Sequence, residues 1–85
     1  MGQSHKYAML KLSQSELKAL RDQLPDGGYK LVASKLNRVT AESVRKVLSD
    51  PNRYNSKIID ATIEVVREER ERVAAQKEAI KELVS

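Results

Sequence analysis

At 85 residues, with 40% hydrophobic and 33% charged residues, the chain is the size of one domain and has apolar material for only a small core. It has no Cys, no Trp and no Phe, and only three Tyr. This excludes disulfides, thiolate zinc sites and cysteine nucleophiles, and leaves an aliphatic core better suited to helices than to a sandwich. The formal net charge is +4, and from residues 29 to 55 the bases Lys30, Lys35, Arg38, Arg45, Lys46 and Arg53 face only Glu42 and Asp50, so a polyanionic partner is expected there.

Residues 1–12 read as an N-terminal arm. The start lacks the uninterrupted apolar core of a secretion signal and no stretch approaches a membrane span, so a cytoplasmic protein without membrane contact is expected. Lys6 stands where a myristoylation signal wants Ser or Thr. His5 is the only histidine, and metal ligands come in clusters, so no metal or other cofactor is expected. The run YAMLKL, residues 7–12, suits an extended segment that packs Leu10 or Leu12 against the first helix.

Ser13-Gln14-Ser15-Glu16 has the spacing of a capping box, so a helix starts there, with a stripe of Leu17, Leu20 and Leu24. Pro25-Asp26-Gly27-Gly28 stops it with a turn that lets the next helix begin at Tyr29. No strand precedes these glycines and no P-loop spacing follows them, so they are not a phosphate cradle.

In the stretch 29–50, Leu31, Val32 and Leu36 give a short helix an apolar face, and Val44, Val47 and Leu48 repeat that pattern in a second one. Between them, Asn37 is suited to the left-handed conformation that ends a helix, and Thr40 to capping the next. Two helices joined this tightly read either as a helix-turn-helix or as an ordinary helical hairpin with a solvated polar face. Pro51 disfavours helix at Asp50, and the loop through Asn52, Arg53, Tyr54 and Asn55 offers donors for phosphate oxygens, or else is merely solvated with Tyr54 on the core.

From a cap at Ser56 no breaker occurs before the C-terminus. Ile58, Ile59, Thr62, Ile63 and Val66 are expected to close the core, while the charged run from Arg67 to Arg72, with Glu68 and Arg72 paired at i, i+4, supports helix in water. Ile59, Val66, Val73 and Ile80 recur every seven residues, with Leu83 near the end, as in one row of a coiled-coil seam. The companion row Thr62, Glu69, Gln76 and Leu83 is mostly polar, so the alternative is a solvated tail. The expected division is therefore 1–12 arm, 13–66 helix-turn-helix domain and 67–85 extension, in an all-α bundle with a long C-terminal helix.

Val32-Ala33, Val39-Thr40, Val44 with Val47-Leu48, and Asn55-Ser56-Lys57 before a further helix resemble the headpiece of lac-repressor-type transcription regulators over about residues 29–66. In that family the pattern reads Val-Ala, a Gly-Val-Ser turn, and a recognition helix ending in paired aliphatics. Here Asn37 stands where the family has Gly, and Arg38 is extra in the turn. The family's hinge and sugar-binding domain are missing, so the resemblance implies DNA binding and says nothing of an effector; no small-molecule effector is evident.

Together these readings lead to a dimeric regulator that binds double-stranded DNA. Ala41, Glu42, Arg45, Lys46 and Ser49 would face the base edges, and Lys30, Lys35, Arg38, Thr40, Arg53 and Asn55 would hold phosphates. Val66, Val73, Ile80 and Leu83 would join two copies. The rival is a helical adaptor that binds protein. An enzyme is not expected, because nothing sets a base against a nucleophile.

Overall fold

The structure, a computed structural model, describes residues 11–84, so the expectations for His5, Lys6 and residues 7–10 lie outside the described residues. Among them are four α-helices and no strand: α1 (Gln14–Gln23), α2 (Gly28–Ser34), α3 (Ala41–Ser49) and α4 (Ser56–Val84), with a 3-10 turn at Pro51–Arg53. The protein is an all-α bundle with a long C-terminal helix. No described helix is long and apolar enough to cross a membrane.

Helices α1, α3 and α4 begin where a side chain takes up a free amide, whereas α2 starts after Gly27 without one. Ser13 Oγ accepts from the Glu16 amide at 3.1 Å and the Glu16 carboxylate accepts from the Ser13 amide at 2.9 Å, completing the capping box. Thr40 Oγ1 accepts from the Ser43 amide at 3.1 Å and starts α3. At α4 the cap is Asn55 rather than Ser56. Its Oδ1 accepts from the Ile58 amide at 3.2 Å and its carbonyl from the Ile59 amide at 2.9 Å, and Ser56 already lies in the helix.

The two glycines before α2 answer different needs. Gly27 sits at φ 72°, in the left-handed region. Gly28, one residue earlier than the expected start at Tyr29, is the buried first residue of α2, and a Cβ there would meet Leu24 Cβ at 2.8 Å. The next turn departs from expectation in two ways. Helix α2 ends at Ser34, because Lys35 and Leu36 already bond back to the carbonyls of Val32 and Ala33, a tightened last turn. The chain therefore reverses later, and the left-handed residue is Arg38, at φ 59°, not Asn37.

One cluster holds the helices together: Leu17 of α1, Val32 of α2, Val44, Val47 and Leu48 of α3, and Ile58, Ile59, Ala61 and Val65 of α4. Leu12, Leu20, Leu24, Leu36 and Val39 pack on it half-buried. With about 1.5–3 kcal/mol for each such side chain removed from water, this cluster outweighs any surface pairing as the source of stability. Thr62 is fully buried and donates its hydroxyl to the Ile58 carbonyl at 2.7 Å, so it brings no unpaired polar group into the core.

Leu31, expected on the inner face of α2, is instead 46% exposed. On so short a helix Val32 takes the centre of the buried face, and its neighbour points about 100° away. Core packing along α4 ends near Val66, and beyond Val73 every described residue of the helix is exposed. The radius of gyration of 16.2 Å, against roughly 12 Å for a compact chain of this length, reflects that projection.

Candidate nucleic-acid interface

Helix α3 is fixed from within. Val44, Val47 and Leu48 are buried, and the guanidinium of Arg21, in the last turn of α1, donates to the Leu48 carbonyl, satisfying a terminal acceptor and placing a cation against the negative end of the helix. Nothing local to residues 13–24 signals that role, since it depends on α1 crossing the end of α3. The outward face carries Glu42, Ser43, Arg45, Lys46 and Ser49, all exposed. Ala41, expected beside them, is half-buried at the foot of the helix.

Two clefts lie around the start of α3 and the turn before it. One, of about 460 Å³, is lined by Lys30, Tyr29 and Ala41 together with Arg21 and the turn at Asp26 and Gly27. The other, of about 280 Å³, lies between the α2–α3 turn and the start of α4 and brings Lys57 together with Lys35, Asn37, Val39 and Asn55. Lys57 was not among the expected contacts. It becomes a candidate only because the start of α4 packs beside the α2–α3 turn. Lys30, Arg38, Lys46 and Lys57 form no ion pair among the described residues.

Other expected contacts are engaged within the chain. Lys35 reaches across to α4, 3.1 Å from the Glu64 carboxylate and 3.0 Å from that of Glu68. These carboxylates, Glu68 first, raise its pKa above the ordinary lysine value of 10.5. Glu68 therefore does not pair with Arg72, which binds Glu69 instead. Arg45 lies in a fork with Glu42, its Nε donating to Glu42 Oε1 at 2.9 Å and its Nη2 to the other oxygen. That hydrogen bonding pulls the Glu42 carboxyl below its usual range and holds the Arg45 guanidinium more firmly protonated. Asn55 and Thr40 are used as caps. Ser49 Oγ donates to the Arg45 carbonyl at 2.7 Å, keeping its lone pairs outward.

Arg53 is loosely held, 3.7 Å from Asp50, and Tyr54 is exposed rather than packed on the core. Of the expected dimer residues, Val66 is only 6% exposed and belongs to the protomer's own core, while Val73 is half-buried and Ile80 and Leu83 are exposed.

Comparison with protein-family models, with curated proteins and with solved structures found no match to this chain.

Proposed function

We propose that this protein binds double-stranded DNA sequence-specifically, as a small dimeric transcriptional regulator with α3 in the major groove. The observation that carries the reading is the grouping of unpaired cations around a rigidly backed, exposed helix. Lys30 stands in the cleft beside its N-terminus, Lys57 in the cleft between the preceding turn and α4, Arg38 lies in that turn and Lys46 lies on the outward face. The amides at the start of α3 add a partial positive charge to the same place, which favours a phosphate between the clefts.

Phosphate contacts then fall to Lys30, Arg38, Lys57 and, more loosely, Arg53, and reading of base edges falls to Lys46, Ser49 and the Glu42–Arg45 pair. Arg45 must leave the fork, or act from within it, to reach a guanine edge. The likeness to lac-repressor-type headpieces points the same way, and such a regulator would act in the cytoplasm.

Titration of labelled duplex DNA at several salt concentrations tests the proposal. Neutralisation of about four phosphates gives a slope of log K against log salt of roughly −4. Selection from a random duplex library then recovers a preferred site. Absence of binding at low salt overturns the reading in favour of the helical adaptor.

A further inference from the structure

We infer that the free end of α4 is one half of an antiparallel interface with a second copy of this chain, and that the groove beside Leu31 receives the tip of the second copy's helix. The inference deepens the self-association in the proposed function and does not depend on DNA binding.

Three observations carry it. First, the apolar face of α4 does not end with the core. At about 100° per residue, Val73, Ile80, Leu83 and Val84 all fall within about 60° of the direction of the buried Thr62, sharing that face with Gln76 and, at its edge, Lys77. The side of the helix that binds the body is thus continued, uncovered, past it, with Ile80 57%, Leu83 85% and Val84 78% exposed.

Second, this continuity decides the orientation. In a parallel pair the two bodies, both lying on the seam side just before residue 73, would compete for the same space. In the antiparallel arrangement the bodies lie at opposite ends. Leu83 then layers on Val73 and Gln76 on Ile80, and Lys77 of one chain lies near Lys77 of the other, so it is the placement of the bodies and not charge that selects this orientation. The tip at Val84 arrives level with Arg72 of the other chain, where that chain's body begins. The free stretch is therefore the length needed to fill the gap between two bodies.

Third, a receptor lies at that level. A groove of about 470 Å³ between α2 and α4 is lined by Pro25, Leu31, Ser34 and Val65 and by the charged Lys35, Glu68, Glu69 and Arg72. Leu31 is the exposed aliphatic of α2 that its own core leaves out. Two heptads are fewer than the roughly three to four that mark an independent coiled coil. The contact at the groove supplies the apolar area that the seam lacks. Exposed Leu31 and the exposed helix tip are thus two halves of one isologous contact.

The chain has no Cys, so single cysteines report the geometry cleanly. Full-length Gln76→Cys and Ile80→Cys chains are prepared separately, then mixed under mild oxidation. The antiparallel register brings position 76 opposite position 80 of the other copy, so the mixture forms the mixed disulfide-linked dimer. Each variant alone does not, because like positions are offset by about 6 Å along the axis on top of the helix separation. By sedimentation equilibrium the unmodified chain is a dimer, Ile80→Lys is monomeric, and Leu31→Lys weakens the dimer at least tenfold with helix content unchanged. Self-linking of Ile80→Cys, a monomeric unmodified chain, or a dimer indifferent to Leu31→Lys overturns the inference. A cross-linked dimer that ignores DNA leaves it standing and removes only the DNA-binding proposal.

Discussion

Lys30 and Lys35 are both lysines of the basic stretch, yet their surroundings assign them different work. Because Lys35 is held by Glu68 and Glu64, it has little charge left for a phosphate. Lys30→Ala is expected to lower the salt slope of DNA binding by about one unit, and Lys35→Ala to leave it unchanged while loosening α2 from α4. Since the folded-state pKa of Lys35 is raised, its contribution to stability is fully present below 10.5 and is lost only as pH rises through the raised value. Thermal melts across that alkaline window should show unmodified protein converging on Lys35→Met.

Arg38 combines strain with charge. Its left-handed backbone costs a non-glycine residue about 1–2 kcal/mol, which Arg38→Gly relieves, less the entropy that glycine adds to the unfolded chain. The variant is therefore expected to be no less stable in urea titration yet to bind DNA more weakly. Arg45 gives a third test at this scale. Arg45→Ala should cost about 1–3 kcal/mol on a selected site and little on random DNA. Glu42→Gln, which dissolves the fork and removes a carboxylate from the groove face, should strengthen random binding in the same titrations.

At the scale of elements, α1 and α3 are both started by a hydroxyl cap but differ in what depends on it. Ser13→Ala and Thr40→Ala are each expected to lower stability by about 1 kcal/mol in chemical denaturation. Only Thr40→Ala should also weaken DNA binding, because fraying the first turn of α3 disperses its amides and moves Ala41, which walls the Lys30 cleft. Equal losses of affinity in the two variants would mean that the start of α3 is not at the interface.

Across the whole molecule, stability and assembly reside in different parts. The buried core reaches no further along α4 than Val66, so a chain ending at Arg72 should keep a cooperative melt within a few degrees of the full-length protein. In sedimentation the same truncation should be wholly monomeric. A melt that collapses on truncation would show that the projecting helix supports the body, not a second copy.

By itself the sequence determined the local features. The capping box at Ser13, the cap at Thr40, the helix stop at Pro51 and the buried faces of α1, α3 and the first half of α4 were legible, because capping and amphipathic periodicity act within a few residues. Tertiary structure decided what depends on contacts between distant segments. Whether Leu31 or Val32 faced the core, whether Asn37 or Arg38 turned left-handed and whether Asn55 or Ser56 capped α4 were settled by how the helices seat on one another. The same holds for the candidate site. Lys35 was drawn away to Glu64 and Glu68, Arg21 was brought to the end of α3 and Lys57 was added beside its start, because an ion pair or a cleft between separate helices depends on their packing and leaves no periodic trace along the chain.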